Sequence, residues 1–277
     1  MVTQQLSHRL ILSIFPGIGL LDRAFEEQGF CVVRGPDLLW GGDIRQFHPP
    51  ANIFWGVIGG PPCQDFSRMR RGAPTGYGLE MLAEFLRVVT DASPEWWLME
   101  NVDRVPTVAE LAGYVTQRFD INQAWYCDVS RLRHIQFGSK SGRLLNVTRR
   151  LHREVTAGAA LANDNRPFNE LCRIQGLPAD FDLPPFLATE KKRAVGNGVP
   201  LPMGRELAKA VIKAYLKPVE LQCDFAGKVT PVGVCKCGCG RQVTGKAKYY
   251  DYSCRKRAQR NRDKVTVTDQ GGHGWFV

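Results

Sequence analysis

The sequence has no apolar stretch long enough to cross a membrane. No run approaches the roughly 18 apolar residues that a membrane helix needs. The first apolar segment, "RLILSIF", leads straight into "PGIG" without a small-residue cleavage site, which favours a buried strand over a signal peptide. We therefore expect a cytoplasmic protein. The chain also contains no internal repeat, which excludes solenoid architectures.

A disulfide framework is disfavoured as well. The nine cysteines are an odd number, and they are unevenly distributed along the chain. Scattered cysteines in a reducing compartment are expected to be thiols, whereas a tight cluster predicts a metal site. The scattered cysteines are Cys31, Cys63, Cys127 and Cys172, and the clustered ones are Cys223, Cys235, Cys237, Cys239 and Cys254.

Acidic residues are in the minority. The 27 acidic side chains face 37 lysines and arginines, which gives a formal net charge of +10. Much of the excess lies in "CRKRAQRNRDK" (254–264), which carries six positive residues and one negative residue. A solvated surface helix would explain this segment alone, but the overall basic balance favours a polyanionic partner.

What the chain does contain is an alternation of strand and helix patterns. The alternation predicts an α/β fold with a parallel sheet covered on both faces. The predicted strands are 9–15, 56–60, 95–101, one starting at Cys31 and one within 133–147, and the predicted helices are 20–30, 78–92, 166–178 and 201–216. Gly/Pro punctuation near 217–230 predicts a boundary between a domain at 1–217 and a tail at 218–277.

Chemically useful residues follow several of the predicted strands. In parallel sheets, ligands collect at the carboxyl ends of the strands. The residues expected there are Gly17 and Gly19 in "FPGIG", Asp37, Cys63 in "GGPPCQDFS", and Glu100 in "EWWLMEN".

The glycine turn "FPGIG" lacks the features of a dinucleotide or nucleoside-triphosphate site. It has no third glycine, and no Gly-Lys-Ser/Thr follows it. This favours a cofactor without a pyrophosphate, such as S-adenosylmethionine. Asp37 is positioned to accept hydrogen bonds from ribose hydroxyls and Asp43 from an adenine amino group, but each aspartate equally suits a helix cap or a solvated loop.

Cys63 has two interpretations, an inert thiol in a rigid turn or a nucleophile. Glu100, at the end of the next predicted strand, supports the second interpretation. A thiolate that adds to C6 of cytosine makes C5 nucleophilic, and a carboxyl group near N3 assists the addition. The pair therefore suits covalent catalysis on a pyrimidine.

The motif series resembles that of the cytosine-C5 DNA methyltransferases. The resemblance covers roughly residues 10–216 and rests on "FPGIG", "GGPPCQDFS", "MENV", "RLRHIQFGS", "RIQGLP" and "AVGNGVPLPMGRELAKAV", in this order. It implies a Rossmann-like S-adenosylmethionine-dependent methyltransferase fold. It also implies methyl transfer to C5 of cytosine in DNA, with the target base flipped out of the duplex.

The resemblance also implies a role for individual residues. The catalytic residues would be Cys63 as nucleophile, Glu100 at cytosine N3, and Arg131 and Arg133 in the basic active-site motif, with Asn101 bracing the site. The cofactor-binding residues would be Phe15, Gly17, Gly19, Asp37, Asp43, Ile44, Pro61, Asn197 and Val199, the last two at the methionine end. Asp65, two residues after the nucleophile, is expected to point away from Cys63 toward the arginines of the following loop.

One part of the family pattern is missing. Members usually insert a target recognition domain after the "FGSKSGRLL" region, but this chain has only about twenty residues there, "NVTRRLHREVTAGAALANDN". We therefore expect short or relaxed sequence specificity. A compact enzyme of this kind would suit a phage or mobile element.

The C-terminal cysteines form the predicted metal site. The segment 234–262 resembles small bacterial zinc-finger tails, and Cys235, Cys237, Cys239 and Cys254 would supply four thiolates to a structural zinc ion. Cys223 or His273 would be a substitute ligand, and a cluster of metal-free thiols is the alternative interpretation. With zinc bound, the basic residues after Cys254 would form a phosphate-binding element.

Three other functions are compatible with these motifs. One branch of the family methylates cytosine in transfer RNA. A second alternative is transfer of a bulkier group from a modified cofactor, for which Pro16 and Asp65 are hints. The third is a catalytically inactive, methylase-like DNA-binding subunit, favoured by the missing recognition domain and disfavoured by the intact pairing of Cys63 with Glu100.

Overall fold

The computed structural model describes two compact units, Met1–Lys217 and Pro218–Val277. Within them the described residues are 9–67, 72–108, 111–150, 154–216, 232–237, 242–244, 248–249, 252–256 and 258–259. None of the described helices is long and apolar enough to cross a membrane.

The first unit is built on a six-stranded sheet. Its strands are β1 (Leu10–Ile14), β2 (Cys31–Arg34), β3 (Gly56–Gly59), β4 (Trp96–Asn101), β5 (Val115–Asn122) and β7 (Leu132–Ser139), in the spatial order β2-β1-β3-β4-β7-β5. Two short strands, β6 (Val129–Ser130) and β8 (Ala157–Gly158), pair in parallel beside it.

The sheet departs from the predicted parallel arrangement at one strand. Strands β1, β2, β3 and β4 are parallel to one another, but β7, which lies between β4 and β5, is antiparallel to both. The chain passes from β5 to β7 within residues 123–131, which contain only a 3₁₀ turn and β6. A parallel connection needs a crossover of a dozen or more residues, so this short link forces the chain to return antiparallel.

Helices cover both faces of the sheet. They are α1 (Leu20–Glu26), α2 (Tyr77–Ala92), α3 (Phe168–Gln175), α4 (Ala188–Asn197) and α5 (Leu201–Leu216). Strand β4 is buried on both sides, because successive side chains of a strand point to opposite faces. Trp96 packs in the core with Phe25 of α1 and Leu207 of α5, and Trp97 packs with Phe85 of α2.

Most predicted elements are confirmed to within a few residues, with three differences. Strand β5 and helix α4 were not predicted. Between β2 and β3, where a helix would be usual, the chain forms two 3₁₀ turns, Leu38–Trp40 and Ile44–Gln46.

The second unit has a small antiparallel hairpin and a helical segment. The hairpin consists of β9 (Val232–Val234) and β10 (Gln242–Thr244), and residues 252–256 and 258–259 are helical. Cys235, Cys237, Cys254 and Ala258 form a buried cluster, against which Tyr249 packs.

Candidate active site

A cavity of about 670 Å³ opens at the carboxyl ends of β1, β3 and β4. This volume is in the range of cofactor and small-ligand sites. Nearly all the predicted site residues line it, namely Phe15, Gly17, Asp37, Asp43, Ile44, Pro61, Cys63, Glu100, Arg133, Asn197 and Val199. The structure thus brings the expected cofactor residues and the expected reactive pair to one cavity.

The glycine turn after β1 depends on left-handed backbone conformations. Gly17 has φ +56° and Gly19 has φ +75°, which residues with a side chain rarely adopt. Gly19 precedes α1 and is not among the residues that line the cavity. A Cβ at this position would lie 2.8 Å from the Arg34 guanidinium. The left-handed backbone of Gly19 at the start of α1 therefore explains the glycine, and the expected contact with the cofactor is not observed.

Asp37 and Asp43 both cap short turns and line the cavity. Asp37 accepts hydrogen bonds from Leu39 N (2.8 Å) and from Gly17 N (2.7 Å). Asp43 accepts from Arg45 N (3.0 Å), and hydrogen bonding from the Arg45 side chain lowers the pKa of its carboxyl group. An ionised carboxylate has about four acceptor positions. Asp37 can therefore hold its own loop and still accept a hydrogen bond from a ligand, whereas the Arg45 side chain already donates to both oxygens of Asp43 (2.9 and 3.0 Å).

Trp40 is a site residue that sequence reasoning missed. Its Nε1 donates to the Gly17 carbonyl (2.7 Å), and its ring meets Phe186 edge-on at a centroid distance of 5.4 Å. Phe186 also lines the cavity. Trp40 therefore joins the glycine turn to the chain before α4, a long-range contact without a sequence signal.

The Cys63 loop is held by Asn101. Asn101 Nδ2 donates to the Pro61 carbonyl (2.9 Å), and its Oδ1 accepts from Val102 N (2.8 Å). Asn101 is 2% exposed, so both bonds are shielded from water. This places Asn101 in the bracing position that the resemblance implies.

Glu100 lies beside the Cys63 loop with part of its bonding capacity unused. A Cβ on Gly60 would lie 3.4 Å from Glu100 Oε2, so glycine leaves room for the carboxylate. Arg133 Nε is 2.8 Å from Glu100 Oε1, close enough for an ion pair. Its N–H does not point at the oxygen, however, so Oε1 is buried without a hydrogen bond from the described residues.

The surroundings of Cys63 disfavour its thiolate when no ligand is bound. Burial raises the pKa of the Cys63 thiol, and the negative charge of Glu100 raises it further. The positive charges of Arg133 and Arg131 act in the opposite direction but are weaker. The geometry therefore suits a thiol that becomes reactive when a ligand engages Glu100.

Arg131 lies behind the cavity and not in its wall. It is 3% exposed, and its two Nη atoms donate to the carbonyls of Ala160 and Gly196, each at 2.9 Å. Its expected place beside the substrate therefore differs from the observed one. Arg131 is a positioning residue, because it ties two backbone segments together behind Cys63 and Glu100.

Asp65 is used to hold the start of α2. Its carboxylate accepts from Thr75 N (3.0 Å), Thr75 Oγ1 (3.1 Å) and Gly78 N (2.8 Å). The loop arginines toward which it was expected to point, Arg68, Arg70 and Arg71, lie outside the described residues.

Another part of the cavity wall is formed by α4 and the chain that follows it. Gln175 is fully buried, and its Nε2 donates to the carbonyls of Val195 and Gly198 at 2.5 and 2.9 Å. These bonds fix the turn that carries Asn197 and Val199. Because α4 was not predicted, its other lining residues, Glu190, Arg193 and Ala194, were missed.

The predicted metal site is partly described. Cys235, Cys237 and Cys254 are buried, and their sulfur atoms all lie within 4.8 Å of one another. The Sγ atoms of Cys235 and Cys237 are 3.5 Å apart. Cys239, Cys223 and His273 lie outside the described residues.

A comparison with family models finds a match. The model of the C-5 cytosine-specific DNA methylases matches residues 41–134, the segment that contains Cys63, Glu100 and Arg133. This segment of the chain is therefore similar to the cytosine-C5 DNA methylases. S-adenosylmethionine is the cofactor expected for this family.

Curated relatives match about a third of the chain. The type II methyltransferase M.NgoPII of Neisseria gonorrhoeae is 32% identical over 33% of this chain and 33% of its own length. M.AquIA of a Picosynechococcus strain is 52% identical over 33% of this chain and 48% of its own length. The chain thus spans between about a third and half of the length of these two relatives.

Solved structures extend the likeness in fold to about three quarters of the chain. A putative DNA modification methyltransferase from an Escherichia coli prophage matches with a TM-score of 0.55 at 14% identity, over 76% of this chain and 100% of its own. The Entamoeba histolytica methyltransferase EhMeth matches with the same TM-score and coverage at 11% identity. The fold is the Rossmann-like fold of S-adenosylmethionine-dependent methyltransferases.

The lining of the cavity fits the expected cofactor. Asp37 offers acceptors for the hydroxyl groups of a ribose, and Phe15, Ile44 and Val199 supply apolar surface. Only two cationic side chains line the cavity within the described part of the chain, and one of them, Arg133, faces Glu100. A site for a pyrophosphate would need more cations or a longer glycine loop, so a nucleoside without phosphates fits better.

Proposed function

We propose that the protein transfers the methyl group of S-adenosylmethionine to C5 of cytosine in DNA. The observation that carries the proposal is the presence of Cys63 and Glu100 in one cavity with Asp37, Asp43 and the glycine turn. A nucleophile, a carboxyl group and a nucleoside site are the components that this reaction needs.

In the proposed mechanism Cys63 acts as the nucleophile. Its sulfur forms a bond to C6 of the flipped cytosine, while Glu100 contacts N3 and the exocyclic amine and Arg133 holds the Glu100 carboxylate in place. The cofactor, which Asp37 and the glycine turn would help to hold, would supply the methyl group to which C5 donates its electron pair, and would leave as S-adenosylhomocysteine when its methyl–sulfur bond breaks. Loss of the C5 proton to a base then expels the Cys63 thiolate and restores the aromatic ring.

The raised pKa of Cys63 supports this order of events. Glu100 disfavours the thiolate in the ligand-free site. A cytosine that hydrogen-bonds to Glu100 would disperse the carboxylate's charge and weaken that effect. Activation of the nucleophile would therefore accompany correct binding of the base.

A covalent trap tests the proposal directly. A DNA duplex with fluorocytosine in place of cytosine should form an adduct with the protein and S-adenosylmethionine, because the fluorine at C5 blocks the elimination step. The adduct should be stable in denaturing gels and absent from the Cys63→Ser variant. A matched Cys172→Ser variant, changed at a thiol in the α3 core, should retain it. Absence of any adduct with the unchanged protein would support the inactive-subunit alternative.

Nucleoside mass spectrometry tests the choice of polymer. Incubation with DNA and with transfer RNA in parallel should yield methylcytosine in the DNA only. Methylation confined to the RNA would contradict the DNA assignment while leaving the chemistry intact. Mapping of the methylated positions should show a short or relaxed sequence context, as the missing recognition domain implies.

For the second unit we propose a structural zinc ion bound by Cys235, Cys237 and Cys254, with Cys239 as the fourth ligand. Zn–S bonds of about 2.3 Å in a tetrahedral site place sulfur atoms roughly 3.7 Å apart. The 3.5 Å separation of Cys235 and Cys237 is close to this value. Elemental analysis should find one zinc per chain and a loss of metal in Cys254→Ser. Retention of zinc in Cys239→Ser would mean that another residue is the fourth zinc ligand.

We further propose that the helical residues after Tyr252 bind nucleic-acid phosphates. Arg255 and Lys256 are exposed there, and Lys256 Nζ lies 4.9 Å from the centroid of the exposed Tyr252 ring. Each lost phosphate contact lowers the slope of log affinity against log salt by about 0.9. The double change Arg255→Gln and Lys256→Gln should therefore lower the slope by about 2, and an unchanged slope would contradict the assignment.

A further inference from the structure

Helix α4 presents an unpaired cation to the cavity. Glu190, Arg193, Ala194 and Asn197 all line the cavity, and their spacing of three to four residues places them on one side of the helix. Arg193 is exposed, and it makes no hydrogen bond or ion pair within the part of the chain that the structure describes. A ligand that fills the cavity therefore meets this guanidinium group.

The rest of the charge in the cavity is mostly negative. The only other guanidinium in the described lining belongs to Arg133, which lies 2.8 Å from a Glu100 oxygen. Arg193 is thus the one described cation of the cavity that is available to an anionic group of a ligand. The carboxylates that line the cavity are Asp22, Asp37, Asp43, Glu100 and Glu190.

We propose that Arg193 binds the carboxylate of the amino-acid part of S-adenosylmethionine. The inference rests on the proposed function, because it takes S-adenosylmethionine as the cofactor. The sulfonium and ammonium groups of this cofactor are cationic and match an acidic cavity, whereas its carboxylate needs donors. A guanidinium offers two parallel N–H donors that match the two oxygens of a carboxylate.

The position of Arg193 on α4 supports the carboxylate as its ligand. Asn197 lies one turn further along the same face, next to Val199, where the resemblance places the methionine end of the cofactor. The resemblance places Asp37 at the ribose, which is the nucleoside end of the cofactor. A phosphate of the nucleic-acid strand is the other oxyanion that Arg193 could meet, and the experiment separates the two.

Calorimetry with two ligands tests the assignment. S-adenosylhomocysteine carries the carboxylate, whereas methylthioadenosine has the same nucleoside thioether without the amino-acid part. Arg193→Gln should weaken the binding of S-adenosylhomocysteine about tenfold or more, since charge-assisted hydrogen bonds contribute roughly 1.5–3 kcal/mol. It should change the affinity for methylthioadenosine by less than about twofold. The control is Lys192→Gln, which removes a charge from the same helix at a residue outside the cavity lining; it should leave both affinities unchanged.

The other outcomes count against the inference in different ways. Equal losses for the two ligands would show that Arg193 supports the structure of the site and not the carboxylate. No loss for either ligand, together with weaker DNA binding, would assign Arg193 to a phosphate. If the unchanged protein binds neither ligand, the cofactor assignment fails, and the proposed function fails with it.

Discussion

Replacement of Gly196 by alanine has two opposing effects on the stability of the fold, one from helix propensity and one from packing. Gly196 lies in the last turn of α4 and does not have a positive φ, so propensity alone predicts that alanine stabilises the helix by about 0.8–1 kcal/mol. A Cβ at this position, however, would lie 2.7 Å from Ala162 N and closer still to the carbonyl group of Leu161. These are backbone atoms, so only a separation of α4 from residues 161–162 relieves the overlap.

The steric effect is the larger of the two. Overpacking typically destabilises by about 1–3 kcal/mol. Because the overlap is with backbone atoms, we expect a cost at the upper end of this range, about 3 kcal/mol. After subtraction of the propensity gain, the net loss is about 2 kcal/mol, which lowers Tm by roughly 4–8 °C in a domain of this size. The displacement would also separate the carbonyls of Ala160 and Gly196, to which Arg131 donates. Affinity for S-adenosylhomocysteine should therefore fall together with Tm.

Thermal unfolding monitored by circular dichroism measures the effect. Gly158→Ala is the matched control, because a Cβ on Gly158 has no atom within 4 Å and its φ is not positive. That variant should stay within about 0.5 kcal/mol of the unchanged protein. An unchanged or higher Tm in Gly196→Ala would refute the close contact between α4 and the residues beneath it.

Three further predictions concern single residues. The rate of Cys63 alkylation by iodoacetamide should rise with pH around the raised pKa of the thiol. The pH profile should move to lower pH in Glu100→Gln, which removes a neighbouring negative charge, and to higher pH in Arg133→Gln, which removes a neighbouring positive charge. Gln175→Leu should lower the free energy of unfolding in urea by about 2–4 kcal/mol, because two backbone carbonyls lose their donor. Trp40→Phe should remove most of the change in tryptophan fluorescence when S-adenosylhomocysteine binds, since the indole contacts the glycine turn; an undiminished change would show that another tryptophan reports binding.

The part of the site that lies on buried strands could be predicted from the sequence. The ends of β1, β3 and β4 follow apolar runs, so the sequence pattern alone places Gly17, Cys63 and Glu100 at one edge of a sheet. The direction of β7 could not be predicted in this way, because a strand has the same local pattern in either direction and only the length of its connection decides it.

Helix α4 escaped prediction because its sequence gives almost no periodic signal. In "ATEKKRAVGN" only Val195 and Gly196 are buried. A helix that packs on the core carries a hydrophobic stripe, but one side of this helix faces the ligand cavity instead. The sequence also could not show that Asp37 and Asp43 each cap a turn and line the cavity. A cap depends on neighbouring residues, whereas the lining of a cavity depends on distant elements. The sequence therefore could not show that one aspartate has both roles.

The residues that take the place of the missing recognition domain brace the fold. In the segment 140–166, Leu145 N donates to Gln117 Oε1 and its carbonyl accepts from Gln117 Nε2, while Thr148 N donates to Glu206 of α5. Further along, the Ala160 carbonyl accepts a hydrogen bond from the Arg131 side chain, and the backbone at residues 161–162 lies against Gly196. These backbone groups of the segment are engaged with the protein, so they are not available to contact the edges of bases.

We therefore expect the residues that give affinity for DNA to differ from those that select the target sequence. If the proposed phosphate contacts of Arg255 and Lys256 supply affinity without base contacts, their loss should weaken methylation at every site by a similar factor. Sequencing of methylated cytosines in DNA treated with the double glutamine variant should then show a lower yield but the same distribution of sequence contexts. A changed distribution would mean that the second unit reads bases, and the relaxed specificity inferred from the short segment would have to be attributed to the first unit alone.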